Sequence, residues 1–371
     1  SALAAHDLGG AAIRAAVARA GVQPDAVGEV LFGNCLMAGQ GQAPARQAAF
    51  KGGLPKEAGA VTLSKMCGSG MKAAMFAHDM LLAGTHDVMV AGGMESMTNA
   101  PYLLQKGRGG YRLGHDRIFD HMMLDGLEDA YEPGRSMGTF GEDCAAKYGF
   151  TRAEQDAFAT ASVERAKAAT ASGAFAAEIT PVTVKSRAGE TVVSVDEGPG
   201  KVKLDKITSL KPAFKKDGTI TAASSSSIND GAAALVMMRA STATKLGCKP
   251  LARIVGHATH AQEPEWFATA PLGATQKALA KAGWAVGDVD LWEINEAFAV
   301  VPMALMKELN LPHDKVNVNG GACALGHPIG ASGARIMVTL IYALQARGLK
   351  KGLATLCIGG GEATAVAVEL V

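Results

Sequence analysis

Three glycine-rich turns carry the residues able to do chemistry. The first is Ser64-Lys65-Met66-Cys67-Gly68-Ser69-Gly70-Met71, the second Gly326-His327-Pro328-Ile329-Gly330, and the third Cys357-Ile358-Gly359-Gly360-Gly361. A thiol beside an imidazole is a nucleophile with its base. A β-type run, 59–63, leads into the first turn, and a helical pattern over 71–82 leaves it. Cys67 is therefore expected where a strand ends and a helix begins. Unpaired N–H groups and the positive end of the helix dipole favour an anion there, so a lowered thiol pKa is expected. Gly68 and Gly70 would let a substrate approach the sulfur closely.

Each feature alone has an ordinary explanation. Cysteine is among the most buried residue types, a lone histidine is more often structural, and Asn295 in Asn295-Glu296-Ala297-Phe298 could simply cap a helix. Gly68-x-Gly70-x-x-Ala73 also fits a relaxed dinucleotide fingerprint.

The surrounding pattern is α/β. Helical spacing covers 7–20, 44–50 and 151–172, and strands are expected at 29–34, 86–95 and 232–238. Residues 96–227 lose this regularity and read as an inserted loop domain, with strand-like pieces at 179–185 and 191–195. From Leu251 strand–helix alternation resumes to the end. The expected division is an N-terminal half (1–97 and 229–250), an insertion (98–228) and a C-terminal half (251–371).

An internal repeat ties the halves together. Ala18-Arg19-Ala20-Gly21 precedes Asn34 as Ala280-Lys281-Ala282-Gly283 precedes Asn295. Asn34 then stands before Cys67 much as Asn295 stands before His327. Ala91-Gly92-Gly93-Met94-Glu95 answers Ile358-Gly359-Gly360-Gly361-Glu362. Two similar halves packed about a pseudo-twofold axis would bring the glycine turns to one site.

Composition narrows the classes. The 371 residues allow two or three domains, and 36 basic against 35 acidic residues imply no polyanion-binding surface. No nucleic-acid partner is expected. The six cysteines show no metal-ligand spacing and read as reduced thiols; Cys35, Cys144, Cys248 and Cys323 are expected to be buried and structural. No metal is expected, and no apolar run of membrane-spanning length or signal peptide is seen. A leader removed before Ser1 would leave no trace, and a cytoplasmic location is the expectation.

Taken together, the turn around Cys67, Asn295-Glu296-Ala297-Phe298, Gly326-His327-Pro328 and Cys357-x-Gly359-x-Gly361 identify the sequence, over essentially its whole length, as resembling the thiolase family. The resemblance implies a layered αβαβα fold of two βαβ-rich halves with an inserted loop domain. It implies that Cys67 is acylated, that His327 activates it, and that Cys357 is the acid/base toward the second substrate and the leaving thiol. Asn295 would hold a water forming one oxyanion hole with His327, and the N–H groups of Cys67 and Gly359 would form the other. The implied reaction joins two acetyl-CoA into acetoacetyl-CoA plus coenzyme A, or runs in reverse, with coenzyme A thioesters as substrates and no cofactor. Each good donor aimed at a developing oxyanion contributes roughly 3–4 kcal/mol.

Substrate contacts are implied for Ser226, Met137, Phe267 and Phe298. The chain departs from the family in Ser224-Ser225-Ser226-Ser227, where Asn-Ala-Ser-Gly is usual, and in Ser136, where histidine is common. Phe267 stands where many biosynthetic members have methionine. Ala331-Ser332-Gly333 resembles the short-chain biosynthetic branch rather than the broader-range degradative one. Family resemblance also leads one to expect about twenty further residues, forming a first strand, ahead of Ser1. A homotetramer, as a dimer of dimers, is implied as well. A β-ketoacyl synthase would need a second histidine at position 357, a nicotinamide enzyme leaves the second half unexplained, and a non-catalytic lipid binder has no reason to keep all four site residues.

Overall fold

The computed structural model describes residues 2–187 and 189–371. In the N-terminal half the order is α1 (Ala5–Ala20), β1 (Glu29–Gly33), α2 (Pro44–Lys51), β2 (Gly59–Leu63), α3 (Ser69–Leu82) and β3 (Val88–Ser96). A long excursion follows, containing β4 (Tyr102–Leu103), β5 (Phe119–Asp120), α4 (Met137–Tyr148), α5 (Arg152–Ser172), β6 (Val182–Ser186), β7 (Gly189–Val193) and α6 (Gly198–Lys201). The chain then returns through β8 (Asp230–Met238) and α7 (Ala240–Leu246). The C-terminal half comprises β9 (Ala252–Ala261), α8 (Ala270–Ala282), β10 (Leu291–Ile294), α9 (Val300–Leu309), α10 (Ala322–Leu325), α11 (Ile329–Arg347), β11 (Lys351–Ile358) and β12 (Glu362–Leu370).

The two sheets run β2-β1-β3-β8 and β10-β11-β12-β9. In each, a parallel pair (β1 with β3, β10 with β11) is followed by an antiparallel neighbour (β8 and β12). A single parallel bridge, Trp292 to Val316, stands beside β10 where β2 stands beside β1. The repeat read in the sequence is thus a repeat of sheet topology. Its leading helices close alike, α1 on Gly21 (φ 67°) and α8 on Gly283 (φ 69°), the left-handed C-caps that glycine adopts without cost.

Alternation along the strands makes the layers. Val30, Phe32, Val88 and Val90 face outward onto Ile13 and Val17 of α1 and Ala45, Ala48 and Ala49 of α2. Leu31, Met89 and Ala91 face inward onto α3 and α11, which meet Leu356, Val366 and Val368 of the second sheet on their other side. Leu353, Ala365 and Ala367 face the opposite way, onto α8 and α9. The result is the expected αβαβα sandwich, with α3 and α11 as its central layer.

That central layer depends on missing side chains. A Cβ at Gly70 would lie 2.8 Å from Ala334 N, and one at Gly333 2.6 Å from Met71 N. Nothing larger than hydrogen fits between the two helices, so their N-termini, just past Cys67 and His327, are drawn together. The same closeness sets α11 on β3, where a Cβ at Gly93 would lie 2.0 Å from Gly330 O.

Several expectations need correction. The sequence reading found no membrane-length apolar run, yet α11 is long and apolar enough to cross a bilayer. Its best window is 72% buried between the sheets, which is what a central core helix requires. The alternation expected after Leu251 fails at the end, where β11 and β12 form a direct antiparallel hairpin. The irregular stretch also contains the well-formed helix α4, hidden by its glycines, which accept packed rings (Phe214 against Gly138 and Phe298 against Gly141). Cys248 is only partly buried, unlike Cys35, Cys144 and Cys323.

Candidate active site

The site lies where α3 and α11 begin and β11 ends. Cys67 follows Met66, which sits at φ 46°, a left-handed conformation costing of order 1–3 kcal/mol for a bulky residue. Four hydrogen bonds hold this turn. Gly68 N–H donates to Lys65 O (3.0 Å), Ser69 N–H to Met66 O (3.0 Å), Lys65 N–H to Ser69 Oγ (2.8 Å) and Ser69 Oγ–H to Met66 O (2.6 Å). An ion pair from Lys65 Nζ to Glu362 (2.6 Å) fastens the turn to the start of β12 in the other half. Gly68 leaves room for Ile358, whose Cδ1 would lie 2.3 Å from a Cβ there.

The backbone amide of Gly359 favours the Cys67 thiolate, and the Cys67 charge in turn raises the Cys357 thiol. Two of the three turns therefore meet, Gly68 of the first packing against Ile358 of the third. Burial pushes the Cys67 thiol up to about 11, the Glu95 carboxylate adds to the rise, and the amide donors only partly offset it. The lowered pKa expected from a helix N-terminus is thus wrong. Burial outweighs the dipole, and Glu95 is invisible to any local reading. Burial also raises Cys357 well above the ordinary thiol value.

Burial holds His327 at about 3, with Arg335 adding a smaller push in the same direction, so the ring is neutral at physiological pH. Its Nδ1 lies 2.5 Å from Ser332 Oγ, and that hydroxyl donates to Pro328 O at 2.8 Å. With its proton committed to Pro328, Ser332 accepts from His327 Nδ1–H. The other nitrogen, Nε2, is then left with a lone pair, and it is buried with no protein partner. That is the tautomer a general base needs. With the thiol at about 11 and the imidazole at about 3, moving a proton between them costs roughly 11 kcal/mol. The resting pair is thiol and imidazole, and ionisation waits for substrate.

Asn295 is 1% exposed, yet neither its side-chain oxygen nor its nitrogen has a protein partner. It does not cap a helix: α9 starts five residues later, and Asn295 N–H extends the strand ladder to Thr355 O (3.1 Å). A buried amide with both ends free is suited to hold a water or substrate oxygen.

The serine run threads between these parts. Ala299 N–H donates to Ser224 O (2.8 Å), Ser226 N–H to Ala297 O (3.0 Å) and His327 N–H to Ser227 O (3.1 Å). Ser226 is thereby placed between the Asn295 and His327 segments. Met137 reaches toward Gly359, its Cε within 3.5 Å of where a Cβ would be. Phe267 and Phe298 meet at 6.4 Å in a file that continues through Phe140 and Phe214, an apolar wall beside Cys357.

Two participants escaped the sequence reading. Ser332 stands out in the sequence only within Ala331-Ser332-Gly333, with nothing but its spacing to tie it to the His327 ring. Glu95 stands out in the sequence only as the acid closing a repeat. It accepts from Asn34 Nδ2 (2.7 Å), Cys35 N–H (3.0 Å), Leu36 N–H (3.1 Å) and Gly330 N–H (2.9 Å), and so joins the two halves beneath the site.

Residues 1–241 match the thiolase N-terminal domain and residues 248–370 the thiolase C-terminal domain. An acetyl-CoA acetyltransferase of Chromobacterium violaceum is 51% identical over 367 residues, covering 98% of this chain and 93% of that protein. Acetyl-CoA acetyltransferase 2 of Arabidopsis thaliana is 50% identical, covering 100% and 92%. The crystal structure of the Bacillus anthracis acetyl-CoA acetyltransferase superposes with a TM-score of 0.96 at 42% identity, covering 100% of this chain and 93% of that one. The Acat5 thiolase of Ascaris suum in complex with coenzyme A gives 0.93 at 41% identity, covering 100% and 94%.

Proposed function

The chain belongs to the thiolase family, and from that premise we propose that it is an acetyl-CoA C-acetyltransferase working through an acetyl-Cys67 intermediate. It is an acyltransferase acting on coenzyme A thioesters. The observation that carries the residue assignment is the packing of the Cys67 turn on the 357–361 turn, where a Cβ at Gly68 would lie 2.3 Å from Ile358 Cδ1.

In the first half-reaction Cys67 sulfur attacks the acetyl carbonyl while its proton passes to His327 Nε2. The adduct collapses, the carbon–sulfur bond to coenzyme A breaks, and the departing thiolate takes the proton of Cys357. Cys357 is now a thiolate and His327 an imidazolium. In the second half Cys357 removes an α-proton from the incoming acetyl-CoA. Imidazolium and an Asn295-held water face the enolate oxygen, while Cys67 and Gly359 N–H groups face the oxyanion of the tetrahedral adduct. The enolate carbon bonds to the acetyl carbonyl, Cys67 leaves as thiolate, and His327 returns its proton. All three groups end as they began, with acetoacetyl-CoA and free coenzyme A formed.

Pantetheine contacts from Ser226 and Met137, with Phe267 and Phe298 lining the acyl end, belong to the same reading. So does the absence of a resident cofactor, since the chain's own thiols and imidazole supply every proton transfer. A homotetramer and a cytoplasmic location rest on family membership. Thiolysis assayed across 3-ketoacyl-CoA chain lengths tests the assignment. Preference for acetoacetyl-CoA supports it, and preference for long chains would move the protein to the degradative branch.

A further inference from the structure

Away from the reaction site, the far end of α3 meets β9 of the other half, and three ligand-type atoms converge there. His257 Nε2 lies 2.9 Å from Asp79 Oδ1 and 3.2 Å from His78 Nδ1, and His78 Nδ1 lies 3.3 Å from Asp79 Oδ1. This is the only such group of three among the described residues. We propose that His78, Asp79 and His257 bind a divalent transition-metal ion of zinc's class, which fastens α3 to β9.

The spacing carries the argument. Donor atoms around a tetrahedral zinc, each bound at about 2.0–2.1 Å, stand roughly 3.3 Å apart. The three separations found here fix a circle of about 1.8 Å radius, so a point about 2.05 Å from all three atoms lies about 1 Å off their plane. The three donor atoms thus already stand at a spacing that fits one ion. The imidazole rings are perpendicular (89°, centroids 5.1 Å apart), so they meet edge to face rather than stacked.

The same atoms make a poor hydrogen-bonded cluster. For both rings to bond Asp79 Oδ1, two N–H groups must point at one oxygen and abut each other at 3.2 Å. A tautomer shift in each ring, with no net proton release, presents two lone pairs beside the carboxylate. Two imidazoles and one carboxylate favour zinc, cobalt or nickel over calcium or magnesium. His78 and Asp79 stand in the final turns of α3, where the negative end of the helix dipole favours a cation. Lys72 and Lys281 lie near enough to oppose it. Asp79 is 58% exposed, leaving solvent to complete the coordination sphere. The sequence concealed the site because His257 is 179 residues from His78.

Chelator-stripped protein titrated with Co²⁺ tests this. The expected result is one Co²⁺ per chain at micromolar affinity, with tetrahedral visible absorption and no thiolate charge-transfer band. A higher unfolding midpoint in the presence of metal should accompany it. His257→Gln and, separately, Asp79→Asn should weaken binding at least tenfold while condensation activity stays unchanged. No saturable binding below millimolar Co²⁺ would overturn the proposal. So would unchanged affinity in either variant, or a thiolate band showing that the metal sits on the cysteines.

Discussion

Replacing Ser332 with alanine isolates the one contact that fixes the catalytic tautomer. In the native chain the hydroxyl's proton goes to Pro328 O, so its lone pair receives His327 Nδ1–H and leaves Nε2 free. Ser332 is fully buried, so no water replaces the lost oxygen. Leaving a buried N–H unpaired costs about 1–3 kcal/mol. The ring can escape that cost by moving its proton to Nε2, the form that cannot accept from Cys67. The fraction of competent base falls accordingly, and the acylation rate drops about 5- to 150-fold. KM for acetyl-CoA should hold steady, because Ser332 lies beneath the imidazole rather than against substrate. Quenched-flow measurement of acetyl-enzyme formation gives the rate, and the ring ¹⁵N shifts of His327 give the tautomer. An acylation rate within twofold of native, or ¹⁵N shifts still reporting Nδ1–H, would refute the reasoning.

Further outcomes follow from the same geometry. Because burial holds His327 at about 3, acylation should stay flat from pH 8 down to pH 5, with the imidazole already deprotonated throughout. An inflection near 6.5 in stopped-flow acylation would show an ordinary histidine instead. With Cys67 pushed up to about 11, its alkylation by iodoacetamide should keep accelerating beyond pH 9, and a plateau near neutrality would mean a preformed thiolate. Gly93→Ala would place a Cβ 2.0 Å from Gly330 O, so it should cost about 3 kcal/mol or more, read as a lowered urea midpoint. A midpoint unchanged from native would mean that α11 can move off β3.

The architecture was legible because its punctuation is local. Left-handed glycines such as Gly21 and Gly283 end the leading helices, and apolar strands are buried on both faces, so the repeat appears as evenly spaced marks along the chain. The positions of Cys67, His327, Cys357 and Asn295 were legible for the same reason, each standing at the end of a strand or the start of a helix. Their electrostatics were not. Cys67 looked activated from its own neighbours, whereas its pKa is set by burial and by Glu95, 28 residues away. Glu95 acts through a contact with Gly330 that only the packing of one half on the other creates, whereas Ser332 meets His327 within one helix start. The insertion was the least readable part, because α4 owes its place to rings of Phe214 and Phe298 fitting its glycines rather than to periodicity.

The central claim is that Cys67 carries the acyl group while Cys357 moves the protons of the second half-reaction. Incubating Cys357→Ser with acetyl-CoA and mapping the product by peptide mass spectrometry tests it directly. Acetyl groups should accumulate on Cys67, stable in the absence of coenzyme A, and should vanish in Cys67→Ala. Acetylation located at another residue, or persisting undiminished in Cys67→Ala, would contradict the account.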